Sequence, residues 1–137
     1  MYLQEKPLLL LSKLILKILD TKTRMAGKPV IVSMALSNSA VVGEFEKEVD
    51  SILASFGVQN QALLDIISGV ATPSGLLPLQ MPANMRTVEE QPEDVPLDME
   101  CHVDSPGNKY DFGFGLNWKG VINDSRTMMY RKQVKKK

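Results

Sequence analysis

Apolar and polar positions change period several times along this chain, and each change predicts an element. From Leu8 to Met25 the apolar residues recur at three- and four-residue steps. Leu11, Leu14, Ile15, Ile18 and Leu19 share one face, Lys13, Lys17, Asp20 and Arg24 follow the other, Pro7 sits in the first turn and Gly27 comes after the end. That is an amphipathic helix. Lys28 to Ala35 is instead a short run rich in β-branched residues, opened by Pro29. It predicts a strand buried on both faces, which needs helices on each side. Helical spacing returns at Ala40 to Val49 and at Gln59 to Ile67, the latter with Ala62, Leu63, Ile66 and Ile67 inward and Gly69 at its end. Between them Ser51 to Phe56, closed by Gly57, predicts a second strand, parallel to the first through a right-handed crossover. Thr72 to Gly75 has the residues of a type I turn. Leu76 to Met81 predicts a third strand, at an edge or irregular because Pro78 lacks a donor. The rhythm predicts an α/β fold with a mostly parallel sheet and flanking helices. A long loop over 82–107 follows, and then Phe112, Phe114, Leu116 and Trp118 alternate as a closing strand with one apolar face.

Size and charge narrow the choices. A chain of 137 residues is the length of one domain, able to bury about two-thirds of its unfolded surface. Its 16 basic and 16 acidic residues cancel, which removes the global argument for nucleic acid or an anionic membrane. Acid gathers from Glu89 to Asp104, and base gathers at Arg126, Arg131, Lys132 and Lys135 to Lys137. The basic tail over 123–137 reads as a solvated, frayed end, with a phosphate-binding arm as the sharper alternative that its brevity disfavours. Cys101 and His102 are single residues of their kinds, so neither an intrachain disulfide nor a closed Cys/His zinc site can be assembled. Leu8 to Leu11 behind Lys6 hint at a secretory signal, but Lys13 and Lys17 interrupt the run and no small-residue cleavage site precedes Asp20. The stretch is also too short and charged to span a bilayer.

Three groups of residues invite a chemical reading. Glu44 and Glu48, one helical turn apart, have the residue types of a glycosidase's paired carboxylates. Charges alternating with Phe45, Lys47 and Val49 are better explained as the solvated face of an amphipathic helix. His102, Asp104 and Ser105 contain the residue types of a hydrolase triad, but adjacency in sequence does not create triad geometry, and no Gly-x-Ser-x-Gly elbow is present. Gly113 and Gly115 suggest a dinucleotide fingerprint, yet Trp118 stands where its third glycine belongs. The residues alone therefore assign no catalytic, cofactor-binding or metal-binding position.

Four blocks, in order, carry a family resemblance: Gly27 to Val32; Ala54 to Gly57 leading into a helix; Gly69 to Pro78, reading Gly-Val-Ala-Thr-Pro-Ser-Gly-Leu-Leu-Pro; and Tyr110 to Leu116, reading Tyr-Asp-Phe-Gly-Phe-Gly-Leu. Over about Asp20 to Ile122 the chain resembles the carboxy-terminal domain of glycoside hydrolase family 3, many of whose members are β-glucosidases. The resemblance implies an α/β sandwich, here partial, over 27–122, preceded by the helix of 1–26. It also implies a partner: a barrel domain bearing the nucleophilic aspartate, which would lie upstream of Met1. The segment that often supplies the acid/base glutamate would precede Lys28, so no catalytic residue carries over. The glycine-rich entry to the middle helix is replaced by Val58-Gln59-Asn60-Gln61. The expected function is that of a fragment, the last part of a β-glucosidase-like hydrolase of carbohydrate metabolism, inactive without its barrel. The alternative is a non-catalytic interaction module whose open sheet edge pairs with a partner or with itself. Carbohydrate is the substrate implied for the parent enzyme, whose family is often secreted or periplasmic; no cofactor is implied.

Overall fold

The computed structural model describes residues 27–92 and 97–134, with side chains through Tyr130. The helix expected over Leu8 to Met25 lies outside the described residues. Two parallel strands, β1 (Ile31–Ala35) and β2 (Ser51–Ser55), pair in register from Ile31 opposite Ser51 to Ala35 opposite Ser55. The parallel pairing follows the expectation. Burial along β1 alternates, however: Val32 and Met34 are half-buried while Ile31, Ser33 and Ala35 are exposed. Among the described residues no element covers that second face, so the strand reads here as one-sided rather than buried on both faces.

Between the strands, the helix expected over Ala40 to Val49 does not form. A turn around Gly43 leads into one turn of 3-10 helix at Glu46–Glu48, with the amides of Phe45 and Glu46 both donating to the Val42 carbonyl. Glycine in mid-segment and β-branched Val41 and Val42 disfavour a helix. Burial decides the outcome. Val42 and Phe45 enter the core with Met81, all at most 3% exposed, and Val30, Val32, Met34, Leu36 and Ile52 pack around them.

Helix α1 (Asn60–Ile67) follows β2, and Gly69 closes it at φ +79, the left-handed conformation that glycine adopts without strain. Ala62, Leu63 and Ile66 are half-buried, whereas Ile67, expected inward, is 41% exposed. No turn forms at Thr72 to Gly75 and no strand at Leu76 to Met81. Pro78 and Pro82 each remove a ladder donor, and the segment is instead held on both sides by single bonds. The Leu77 amide donates to Phe114 O, the Met81 amide to Tyr110 O, and the His102 amide to Met81 O.

The long loop is partly ordered by its own chemistry. Helix α2 (Met85–Glu90) begins where the Asn84 side chain accepts the Thr87 amide at 3.0 Å, an N-cap the hydrophobic pattern could not signal. Isolated antiparallel bridges, Pro82 with Cys101 and Val103 with Lys109, then bring residues 100–110 over Met81. The closing strand is shorter than expected. β3 (Leu116–Asn117) and β4 (Gly120–Val121) make a small antiparallel hairpin. Phe112 and Phe114 are half-buried, but Leu116 and Trp118 emerge, 39% and 59% exposed. The first part of the tail is ordered: Ser125–Val134 is a helix, α3, capped by Asp124, and Tyr130 packs edge-on against Phe112 with ring centroids 5.0 Å apart, while residues 135–137, the end expected to fray, lie outside the described residues.

Candidate functional site

The four sequence blocks converge on one region beside β2. There the backbone of Tyr110 to Leu116 clasps that of Gly75 to Met81, with Gly113 N–H donating to Leu77 O at 2.8 Å and Leu77 N–H to Phe114 O at 2.7 Å. The glycines make the clasp fit. A Cβ on Gly115 would collide with the carbonyl oxygen of Gly75 and lie 2.9 Å from Leu76 Cδ2; one on Gly113, at φ +78, would lie 2.9 Å from Tyr130 Cδ2. Gly115 allows close backbone approach and Gly113 leaves room for the Tyr130 side chain, and no strand-turn-helix arises there to hold a dinucleotide.

Beneath the clasp sits a polar knot that sequence reading missed. Buried Gln80 donates from Nε2 to Asp111 Oδ1 at 2.7 Å and to Cys101 Sγ at 3.3 Å, while its Oε1 accepts the Met99 amide at 3.3 Å. Asp111 also accepts the Phe112 amide at 2.8 Å, and Lys109 Nζ stands 3.3 Å from its other oxygen. Burial pushes the Asp111 carboxyl upward. The bonds from Gln80 and Phe112 and the Lys109 charge outweigh that, and the group lies below the usual carboxylate range. Cys101 is driven the other way: burial first, then the Asp111 charge, lift its thiol to about 11. At pH 8 about one thiol in a thousand is then thiolate. Alkylation of Cys101 by iodoacetamide is therefore expected to run roughly 100-fold slower in the native chain than in urea. Equal rates in the two states would contradict that burial.

The suspected triad is dispersed. His102 is buried, with its ring 5.3 Å from that of Tyr110 and edge-on to it, and its Nε2 has no hydrogen-bond partner. Asp104 closes a turn instead, accepting the Asn108 amide at 2.6 Å and its Nδ2 at 2.9 Å. Ser105 bonds to Glu46 at 3.4 Å. No Ser-His relay joins these three residues. Glu44 and Glu48 are both exposed and share no helix, because the helix that would have aligned them is a turn and a 3-10 segment. Tyr110 lies at the junction of these parts. Burial, with Asp104 and Glu46 nearby, raises its phenol to about 12, keeping it neutral.

Two shallow grooves flank the clasp. One, of about 460 Å³, runs between β2, α1 and Leu76-Leu77; the other, of about 500 Å³, opens between the start of the strands and the hairpin tip at Trp118. Among the described residues no group of three or more His, Cys, Asp or Glu is placed to hold a metal ion. No helix among them is long and apolar enough to cross a membrane.

The pattern that defines the glycosyl hydrolase family 3 C-terminal domain matches residues 12–118. The chain belongs to that family. Beta-glucosidase C of Emericella nidulans is 37% identical over 91 residues, covering 66% of this chain and 14% of the relative. The probable beta-glucosidase C of Aspergillus oryzae is 37% identical over 90 residues, with 66% and 13% covered. The periplasmic beta-glucosidase/beta-xylosidase of Dickeya chrysanthemi is 28% identical over 91 residues, again 66% and 13%. This family 3 domain thus spans about one-seventh or less of the curated relatives it matches. No solved structure matches it significantly. In this family 3 domain the motif blocks do packing work: two are strands or strand ends, and the other two are the halves of the clasp.

Proposed function

We propose that the chain is the carboxy-terminal portion of a β-glucosidase-like glycoside hydrolase that cleaves O-glycosidic bonds of β-glucosides. Its part is to scaffold, and its partner is the barrel domain that carries the nucleophile. The observation that supports this most is the 37% identity over 91 residues to beta-glucosidase C of Emericella nidulans. Glycoside hydrolysis needs two carboxyl groups facing each other across the bond to be broken. Glu44, Glu46, Glu48 and Asp50 follow a turn, an exposed 3-10 segment and a loop, and Asp104 and Asp111 are tied into structural bonds.

The test is direct. The 137-residue chain, incubated with an aryl β-glucoside, is expected to release no more phenol than buffer does. Turnover that disappears when one of its own carboxylates is substituted would overturn the proposal. A second reading, a non-catalytic interaction module, draws support from the sheet. Each strand of the parallel pair has a single neighbour among the described residues, leaving two open edges suited to strand addition. Light scattering on the same sample separates the two readings, since a stable dimer that is catalytically silent favours the second.

A further inference from the structure

Strand β1 has β2 on one side and, among the described residues, no strand on the other. The bonds to β2 fix which backbone groups lie on the outer side. Val30 O accepts the amides of Asp50 and Ser51, Met34 O accepts the Ser55 hydroxyl, and Leu36 N–H donates to Ser55 O. Even-numbered residues therefore turn their N–H and C=O groups toward β2, and by the alternation of a strand those of Ile31, Ser33 and Ala35 point outward. The outer side of β2 is different. Ile52 to Phe56 line the 460 Å³ groove, with Leu76, Leu77, Gly115 and Leu116 among its other walls, whereas Ile31 alone of β1 lines either groove. An exposed strand edge is ordinarily blunted by a charge, a proline or a bulge. Here no charged residue occurs from Pro29 to Gly43, and β1 pairs with β2 in unbroken register.

That edge is complementary to itself. Turned antiparallel about a two-fold axis through Ser33, the strand sets Ser33 opposite Ser33 of a second copy, Ile31 opposite Ala35 and Val32 opposite Met34. The outward groups fall in step, so the 33 to 33 and 31 to 35 pairs each exchange two N–H···O bonds. Side chains agree with the register: large Ile31 lies beside small Ala35, serine meets serine, and Val32 with Met34 continues the half-buried face. Other centres fail. An axis at Ile31 puts Pro29, which has no donor, opposite Ser33; an axis at Ala35 draws in Ser37 and Ser39 from beyond the strand; an axis at an even residue presents groups already bonded to β2. We propose that β1 is the interface of a two-fold dimer, strand order β2-β1-β1-β2, in which a second copy of this chain adds its β1 across Ser33. The same patch serves both copies, so assembly closes at two instead of growing into a fibre. This deepens the interaction-module reading and rests on it. A short strand edge buries less than the ~1,200 Å² of a standard interface, which sets the dissociation constant on the order of 10–100 µM.

Sedimentation velocity on the full chain, from about 1 to about 500 µM, should show monomer passing into dimer and no further. Ser33 is exposed, so Ser33→Lys leaves the core alone while setting like charges across the axis; it should weaken the dimer roughly 5-fold. An equimolar mixture of Ser33→Lys and Ser33→Glu should restore association, and circular dichroism matching the parent shows that both variants are folded. Cysteines then read the register. Across the axis the Cα atoms of Ser33→Cys lie about 5.5 Å apart, within the span of a disulfide, so mild oxidation should cross-link that variant. Ala35→Cys, whose two copies lie about 14 Å apart, should stay uncross-linked, and Cys101 is buried and does not compete. Three results would overturn the proposal: a monomer at every concentration, a dimer that Ser33→Lys leaves unchanged, or equal cross-linking of the two cysteine variants. The first also removes self-association from the interaction-module reading. The second keeps that reading and moves it to another surface, and none of the three bears on hydrolysis.

Discussion

Replacing Gly115 with alanine is expected to lower the stability of the domain by about 3 kcal/mol, the largest effect of any single methyl group added to it. The added Cβ would run into the carbonyl oxygen of Gly75, a backbone atom that cannot rotate away, and would press on Leu76 Cδ2 and on Ile122 Cδ1 at 3.2 Å. Relief requires the two segments of the clasp to part, which loosens the Leu77 to Phe114 bond and the Ile122 to Gly115 bond with it. Gly75→Ala is the matched control. Nothing lies within 4 Å of a Cβ there and its φ is not in the left-handed region, so stability should stay within ~0.5 kcal/mol of the parent. Thermal unfolding of the two variants side by side should show a midpoint lowered by about 10 °C for the first and little change for the second. Matching midpoints would mean that the glycines of the Phe-Gly-Phe-Gly block serve something other than close approach.

That block illustrates which parts of the fold could be read without coordinates. β1, β2 and α1 were legible because short β-branched runs, a helical apolar stripe and terminal glycines are local signals, and each was satisfied locally. The Ala40 to Val49 segment was not. Its local pattern suits a helix, but Gly43 must pass close to Ala83 O and His102 Nδ1, each 3.3 Å from where a Cβ would be, and Val42 and Phe45 must both face Met81. Those are long-range demands. Leu76 to Met81 failed as a strand for a reason already visible in Pro78, though where its backbone groups would go instead depended on Tyr110 and His102, more than twenty residues later. Asn84 before α2 and Asp124 before α3 are N-caps with the expected residue types, so both helices left a trace that a search for capping residues would have found.

The site was less legible than the fold, because its residues act through tertiary contacts. Adjacency in sequence joined His102, Asp104 and Ser105, and the structure sends them to three different partners. The Gln80 to Asp111 bond joins residues 31 apart, and the Trp118 to Ala71 bond residues 47 apart. Spacing flagged Trp118 only as a member of an apolar face and did not flag Gln80 at all. What the family resemblance contributed was the grouping of blocks, and the structure supplies their physical purpose: each block lets one backbone lie against another.

Asp111→Ala is expected to destabilise the chain by about 2 to 3 kcal/mol at neutral pH, and the difference should shrink in acid. Removing the carboxylate strands a buried amide, since Gln80 Nε2 keeps only the weak acceptor Cys101 Sγ, and it also frees the Phe112 amide and Lys109. Hydrogen bonds to a charged partner are the stronger kind, which places the loss above that of a neutral pair. The direction with pH follows from the lowered carboxyl. Because Asp111 binds its proton less readily when folded than the ordinary value of about 3.9, the charged group's stabilisation is present above that value. It fades as pH falls through the folded one. Urea midpoints of parent and variant at pH 7 and pH 3 should therefore lie closer together at pH 3, with a residual gap from the neutral bonds. A gap that is unchanged or wider in acid would show that Asp111 is held as a neutral acid, and that the knot beneath the clasp is built on a shared proton instead of a charge.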